Sequence, residues 1–166
     1  MALLHMCIEV GMEIAVAHVN YHHRDSAGEE ESYVHSFCEA HQVECYVRNE
    51  RFTYEGNFEA SARKWRYDFF VSLVKEKHFM GVLIAHQEDD VLETYFMQEE
   101  RKLVPAYYGL KEENMYHGIL VKRPLLEYTK KDLEEYCQSH AIRYYLDMTN
   151  EDTAYARNKI RKEVVG

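Results

Sequence analysis

Short apolar runs alternate along this chain with longer segments of helical periodicity, and this alternation constrains the fold more than any other sequence feature. The runs have the length of strands and lie at 14–19, 43–47, 81–86 and 119–122. Helical periodicity covers 3–10, 27–41, 59–77, 89–100, 130–140 and 152–164. Repeated strand–helix units of this kind predict an α/β fold with a doubly wound, mostly parallel sheet and helices on both faces.

The composition is typical of a globular protein and excludes several other classes. The chain has 166 residues, enough for one domain, of which 46% are hydrophobic and 30% charged. No apolar run approaches the roughly 20 residues of a membrane-spanning helix. The first ten residues lack the basic region of a signal peptide, and the four cysteines form no Cys-x-x-Cys pair. We therefore expect a cytoplasmic protein with reduced thiols and no membrane partner.

The charge balance limits how this chain could bind nucleic acid. It has 20 basic and 29 acidic side chains, which give a net charge of -9. This balance disfavours a nucleic acid held across a whole face, because such binding depends on cations that neutralise phosphates. Any nucleic-acid contact is therefore expected to be local.

The densest group of chemically reactive side chains follows the third apolar run. Asp90 and Glu93 are three residues apart and share one face of the predicted helix, close to His86 at the end of the strand. In an open α/β sheet, ligands bind at the carboxyl ends of the strands. Two carboxylates and an imidazole there could hold Mg²⁺, bind an ammonium group, or act as acid and base. A metal hydrolase that also uses Asp89 is one alternative.

Capping is the structural alternative for these acidic residues. Acidic side chains near a helix N-terminus are favoured by the helix dipole, independently of function. Asp89 is expected to serve in this way. Because four acids fall within 88–93, more than a cap requires, the group of His86, Asp90 and Glu93 favours a functional site.

Two further segments carry candidate ligands. In the segment 18–24, His22 and His23 are adjacent and cannot easily face one ion from a single strand, which disfavours a metal site. Arg157 and Arg161 are four residues apart on one face of a predicted helix. This spacing suits phosphate binding, and it is equally typical of a solvated basic face.

Six motifs in a fixed order connect these segments to one family. They are HVNYHHR at 18–24, EASARKWRY at 59–67, AHQEDDVLET at 85–94, RPLL at 123–126, DMTN at 147–150 and RNKIR at 157–161. The series resembles HVNHxLR, EAxARxxRY, AHHxDDxxET, RPLL, DPTN and RNxIR of the tRNA(Ile)-lysidine synthetase family, within the ATP pyrophosphatase group. The resemblance spans nearly the whole chain.

The resemblance implies an adenine-nucleotide α-hydrolase-like fold and a ligase that uses ATP and Mg²⁺. Such an enzyme adenylates the C2 oxygen of the wobble cytidine in isoleucine tRNA with a CAU anticodon and releases pyrophosphate, and free L-lysine then displaces AMP. Carried over by motif, Arg63 and Arg157 contact phosphates or the adenylate. His86, Asp90 and Glu93 line the lysine and Mg²⁺ region, with Asp90 as the metal ligand. The remaining assignment puts the adenine against His18, Val19 and Asn20. A homodimer of this chain is possible.

The chain also departs from the family pattern. The family's phosphate loop, SGGxDS, would stand immediately before Met1, and Gln87, Met148 and Tyr21 replace a His, a Pro and a His of the motifs. We therefore expect 1–166 to be a single catalytic domain, truncated at its N-terminus without the first strand, lacking a C-terminal tRNA-binding domain and inactive alone. The alternatives are a non-catalytic remnant of this fold and another tRNA-modifying enzyme of the superfamily, such as a tRNA thiolase.

Overall fold

The computed structural model describes residues 1–23, 25–102 and 104–145, and five helices and five strands lie in these ranges. In chain order they are α1 (Ala2–Glu9), β1 (Ala15–Val19), α2 (Ala27–Ala40), β2 (Glu44–Arg48), α3 (Phe58–Lys77), β3 (Gly81–Leu83), α4 (Glu88–Glu100), β4 (Glu113–Tyr116), β5 (Ile119–Lys122) and α5 (Lys130–Ser139). Each predicted element within these ranges is present. The helix predicted over 152–164 lies outside the described residues. None of the helices described is both long and apolar enough to span a membrane.

Backbone pairing arranges the five strands in two sheets. β1 and β2 pair in parallel, with Ala15 opposite Glu44. β3 and β5 also pair in parallel, and β4 runs antiparallel along the other side of β5, so the order of the second sheet is β3-β5-β4. Two of the three pairings are parallel. The predicted α/β class with mostly parallel strands is therefore confirmed.

The strand β4 was not predicted, and a local turn explains its presence. His117 and Gly118 connect β4 to β5, and both have positive φ values, 45° and 84°. Two residues of positive φ make a type I′ turn, whose twist matches that of an antiparallel hairpin. The sequence of β4, Glu-Asn-Met-Tyr, has little apolar character. The turn therefore determines this hairpin more than the hydrophobicity of the strand does.

One hydrophobic cluster connects α3 to both sheets. Its buried members are Tyr67, Phe70 and Val74 of α3 with Ile119 and Val121 of β5, and the partly buried residues that pack on it include Ala17, Val82 and Ile84. Ala17 belongs to β1, whereas Val82 belongs to β3. A single helix thus holds the two sheets in one core.

The third apolar run, 81–86, is apolar on both faces and therefore predicts a central, buried strand, but the strand in the structure is shorter and partly exposed. The strand β3 ends at Leu83, which is 36% exposed. Within the described ranges it pairs with β5 alone. Its first residue, Gly81, lies against the neighbouring strand, where an added Cβ would be 2.5 Å from the carbonyl oxygen of Leu120. Glycine is therefore required for this close approach of two backbones.

The helix caps agree only partly with the sequence pattern, which predicts capping boxes of Ser26 with Glu29 and of Thr129 with Asp132. The box of Thr129 and Asp132 is present at the start of α5. The box at Ser26 is wrong, because the Ser26 hydroxyl donates to the carboxylate of Glu30 instead of accepting a backbone N–H. Asn57 caps α3 by accepting the N–H of Ala60 at 2.9 Å. This cap fixes the start of the helix that carries Arg63.

Candidate active site

The carboxyl ends of β3 and β5 lie side by side, which brings together two segments far apart in sequence. The parallel register aligns Leu83 with Lys122, and the N–H of Ile84 donates to the Lys122 carbonyl at 2.9 Å. His86 and Arg123 follow directly after these ends. This is the edge at which an open α/β sheet binds its ligands.

Arg123 is a buried cation at this edge, with only 4% of its surface exposed. Its Nε donates to Nδ1 of His86 at 3.0 Å. Its Nη1 donates to the Lys111 carbonyl at 2.9 Å and to Oδ1 of Asn114 at 2.7 Å. All three acceptors are neutral, so these hydrogen bonds do not compensate the positive charge of the guanidinium.

His86 is held as a neutral imidazole. Burial lowers its pKa to about 4, and the positive charges of Arg123, Arg63 and Arg66 act in the same direction. At neutral pH the ring therefore has a single N–H. His86 is then a hydrogen-bond donor or acceptor, and not a charged partner for an anion.

A pocket of about 330 Å³ opens beside these residues. Its lining comprises Arg63, Thr94, Gln98, Tyr107, Gly109, Leu110, Lys111, Asn114 and Arg123. Three of these side chains are cations, Arg63, Lys111 and Arg123, and none of the residues that the structure describes adds a carboxylate to the lining. The pocket is therefore chemically suited to an anionic group such as a phosphate.

The pocket includes one of the predicted site residues directly. Arg63 reaches it from α3, and its guanidinium carbon also lies 4.6 Å from the ring centre of Tyr67. The charge of Arg63 acts on His86. The structure thus brings Arg63 and His86, 23 positions apart in the chain, to one site.

Asp90 and Glu93 lie on α4, the helix that supplies Thr94 and Gln98 to the pocket. The Asp90 carboxylate accepts the backbone N–H of Gln87 at 2.8 Å, which stabilises the first turn of α4. The residue in the capping box is therefore Asp90, while Asp89 lies in the same first turn, where its charge is favoured by the helix dipole as expected. Glu93 is half-buried one residue before Thr94.

The positions of the four residues considered for a metal hydrolase do not support binding of a metal ion by all of them together. These residues are His86, Asp89, Asp90 and Glu93. Across 1–23, 25–102 and 104–145, no three His, Cys, Asp or Glu side chains are arranged to hold a metal ion. The metal hydrolase that was considered from the spacing of these residues thus lacks its ligand set in this part of the chain.

The residues predicted to contact adenine belong to the other sheet. His18 and Val19 end β1, opposite Val47 and Arg48, and burial lowers the pKa of His18 against the opposing effect of the Glu31 and Glu30 carboxylates. Asn20 follows and is only 3% exposed.

The amide of Asn20 is used to build the turn after β1. Its Nδ2 donates to Glu31 at 2.8 Å and to the Ala27 carbonyl at 3.3 Å, while its Oδ1 accepts the N–H of His22 at 2.8 Å. These bonds account for the buried amide without a ligand. The adenine contact of His18, Val19 and Asn20 stays a prediction.

The predicted site residue Arg157 lies outside the described residues, as do the segments 147–150 and 157–161. Conversely, the structure places three residues in the pocket for which the sequence predicted no chemical role: Lys111, Asn114 and Arg123. For Arg123 a signal was present, because it is a charged residue at the carboxyl end of an apolar strand. Lys111 and Asn114 belong to a connecting segment and to an unpredicted strand, and their sequence carries no comparable signal.

Comparison with solved structures supports the predicted fold. The U34-tRNA thiolase NcsA from Methanococcus maripaludis superimposes with a TM-score of 0.78 at 13% identity, over 98% of this chain and 62% of the thiolase. A phosphoadenylyl-sulfate reductase from Candida auris gives a TM-score of 0.50 at 15% identity, over 86% of this chain and 68% of the reductase. These similarities establish a common fold and nothing further.

Comparison with curated sequences gives closer relatives. The tRNA(Ile)-lysidine synthase of Ureaplasma parvum serovar 3 is 40% identical over 153 residues, which are 89% of this chain and 46% of that enzyme. The tRNA(Ile)-lysidine synthase of Mesoplasma florum is 38% identical over 152 residues, which are 90% of this chain and 38% of that enzyme. The chain thus spans less than half the length of these relatives. Their names confirm the predicted resemblance.

The family assignment rests on the full sequence. Residues 1–166 match the PP-loop domain family, and the geometry at the ends of β3 and β5 agrees with the motifs that first indicated it. This chain belongs to the PP-loop domain family.

Proposed function

We propose that this chain is the ATP-using catalytic domain of a tRNA(Ile)-lysidine synthase. In the proposed reaction, ATP adenylates the C2 oxygen of the wobble cytidine of isoleucine tRNA with a CAU anticodon and releases pyrophosphate. The ε-amine of free L-lysine then attacks C2 and displaces AMP. Support comes from the curated relatives, which align with about nine-tenths of the chain.

The observation that carries the proposal is the cationic pocket at the carboxyl ends of two parallel strands. Arg63, Lys111 and Arg123 line it, and the neutral His86 is hydrogen-bonded to Arg123. A reaction that transfers an adenylyl group develops negative charge on phosphate oxygens, and fixed cations stabilise that charge. The arrangement therefore fits a nucleotide-activating step.

Each group is given a role in this proposal, and Asp90 is placed where the lysine and Mg²⁺ regions meet. Arg63 and Arg157 bind phosphates or the adenylate, because a planar guanidinium donates two parallel hydrogen bonds to such oxygens. Asp90 and Glu93 bind the ammonium group of lysine, to which they are opposite in charge. His18, Val19 and Asn20 contact the adenine. The chain acts as one catalytic domain in the cytoplasm, and a homodimer is compatible with this proposal.

Mg²⁺ is the metal that accompanies ATP in this proposal. Mg²⁺ is usually bound through one or two carboxylates together with substrate phosphates and waters. Asp90 and Glu93 are a suitable donor pair by this criterion, and Asp90 is the proposed ligand. When bound, the metal would neutralise phosphate charge, while orientation of the substrates is the task of the protein side chains.

A steady-state experiment tests the division of roles. Lysidine formation by the intact protein is measured with isoleucine tRNA saturating, while ATP and lysine are varied separately. Arg63→Ala and Arg157→Ala are each expected to lower kcat/KM for ATP about 10- to 100-fold, the value of one charged hydrogen bond. Glu93→Gln is expected to lower kcat/KM for lysine more than that for ATP.

Lys64→Ala is the matched control. It removes a cation adjacent to Arg63, but the Lys64 ammonium contacts Asp68 on the exposed side of α3. It should therefore retain activity. Equal losses toward ATP and lysine in the arginine and Glu93 variants would contradict the assigned roles. An intact protein that does not use ATP would favour the non-catalytic remnant.

A further inference from the structure

The contact between Arg123 and His86 restricts the chemistry of the imidazole. A guanidinium has five N–H donors and no acceptor. Since Arg123 Nε donates to Nδ1 of His86 at 3.0 Å, this ring nitrogen must carry its lone pair and cannot carry a hydrogen. The proton of the neutral ring is then on Nε2.

Hydrogen bonds fix both the side chain and the backbone of Arg123. Its Nη1 is held by Lys111 and Asn114, and its backbone N–H donates to the Glu112 carbonyl at 2.7 Å. The parallel pairing of β3 with β5 then sets the distance between the segments of His86 and Arg123. The guanidinium therefore cannot easily turn away from the imidazole.

We propose that Arg123 is a positioning residue that holds His86 as the neutral Nε2–H tautomer, so that His86 acts as a fixed hydrogen-bond donor to a phosphate oxygen of the nucleotide. This inference rests on the proposed function and deepens it. It assigns to His86 the role of a donor, and not that of a general base. A base would have to accept a proton and become an imidazolium with N–H groups on both nitrogens. The Nδ1–H of that imidazolium would oppose the N–H of Arg123.

The electrostatic surroundings agree with this assignment. The positive charges of Arg123, Arg63 and Arg66 all act on His86. A protonated His86 would add a fourth positive charge to the group. A neutral donor avoids this repulsion and still provides an N–H for an anionic oxygen.

The state of His86 can be measured directly by ¹H–¹⁵N correlation spectra of the histidine rings of the intact protein. The signals of His86 are assigned by their loss in His86→Ala. We expect the Nε2–H tautomer between pH 6 and 8, without titration in this range. A dominant Nδ1–H tautomer, or protonation within this range, would overturn the proposal. This measurement needs no turnover, so it remains decisive even if the intact protein does not form lysidine.

Variants at Arg123 then test whether it acts through His86. Arg123→Met should give mixed tautomers and a kcat reduced on the order of 10- to 100-fold, less than the roughly 10²–10³-fold loss expected when the donor itself is removed in His86→Ala. Arg123→Lys keeps a charged donor and should restore part of the tautomer preference and activity. Thermal melting of each variant monitors the fold.

A double-mutant cycle separates this role from a structural one. If Arg123 acts through His86, the double variant Arg123→Lys with His86→Ala should lose no more activity than His86→Ala alone. Because Arg123→Lys keeps the positive charge in the pocket, losses that multiply would show that the guanidinium contributes independently of His86, and the positioning role would be wrong. If Arg123→Met fails to fold, the Arg123→Lys cycle and the wild-type spectrum still decide the question.

Discussion

Asp90 accepts the backbone N–H of Gln87 with its carboxylate, so it stabilises the start of α4 independently of any ligand. Asp90→Asn should therefore have two separable effects. Loss of the negative charge at the helix N-terminus is expected to reduce the free energy of unfolding by about 0.5–1 kcal/mol. Lysidine formation is expected to fall about 10²–10³-fold, because a charge contact to substrate is lost. Chemical denaturation and a turnover assay of the same preparation measure the two effects.

Two variants on the same helix make the Asp90 experiment interpretable. Glu93→Gln should lose activity while leaving the Asp90 bond to the backbone N–H of Gln87 intact. Glu88→Gln removes an equal charge from the first turn at an exposed position, and it should keep its activity. If Asp90→Asn and Glu93→Gln both retain wild-type turnover, these acids serve the helix and the site lies elsewhere.

The histidine at the end of β3 gives the stability of the protein a defined pH dependence. The pKa of His86 is about 4 in the folded protein, against an ordinary value of 6.5. Between pH 4 and 6.5 the His86 imidazole is protonated in the unfolded chain but neutral in the folded protein. The contribution of His86 to the free energy of unfolding is therefore complete above pH 6.5 and is lost as the pH falls toward 4. The free energy of unfolding should therefore fall more steeply between pH 6.5 and 4 in the wild type than in His86→Gln. Parallel pH profiles of the two proteins would refute a low pKa for His86.

At the scale of single elements, the β4–β5 hairpin depends on one glycine. Gly118 has φ of 84°, and an added Cβ would meet no atom within 4 Å, so the cost of Gly118→Ala comes from backbone strain alone. We expect it to lower the free energy of unfolding by about 1 kcal/mol or more. Gly28→Ala is the control, because Gly28 has equal free space but lies in α2, where alanine should stabilise by about 0.5–1 kcal/mol. Denaturant titrations that give both variants the same sign would contradict the role of the turn.

The elements and the site differ in how far the sequence could predict them. The strand runs and helical stripes were predictable because their periodicity is local, and the segment from His86 to Glu93 was recognisable because it follows an apolar run. The role of Arg123 was not predictable, since its three acceptors come from His86, Lys111 and Asn114, which only the folded chain brings together. The capping residue of α4 could not be chosen among adjacent acids from spacing alone.

The charge of the whole molecule is distributed in a way that suits a local anion site. The net charge is -9, yet the described part of the pocket lining carries Arg63, Lys111 and Arg123 and no carboxylate. The acidic surroundings disfavour nonspecific binding of phosphate chains, while the pocket retains a positive potential for one anionic group. The molecule can thus bind a nucleotide phosphate without presenting a broadly basic surface.

The two sheets share one core through α3, and this makes a prediction about cooperativity. Phe70 is buried in the cluster that contacts β1, β3 and β5. The β2 strand is also tied to α3, since Arg48 donates to the Trp65 carbonyl at 3.0 Å and lies 4.3 Å from the Trp65 ring centre. Phe70→Ala should therefore cost about 3–5 kcal/mol and raise amide hydrogen exchange in both sheets together.

Cys137→Ala provides the comparison for this experiment. Cys137 is buried in a second cluster, formed with Ala2 and Ile142, which involves α1 and α5 rather than the sheets. Cys137→Ala should raise amide hydrogen exchange most strongly in α1 and α5. If Phe70→Ala exposes the amides of β3 and β5 while β1 and β2 keep their protection, the sheets unfold separately, and α3 does not join them into one cooperative unit. Mass spectrometry of deuterium uptake, resolved by peptide, distinguishes the two outcomes because each strand lies in a different stretch of sequence.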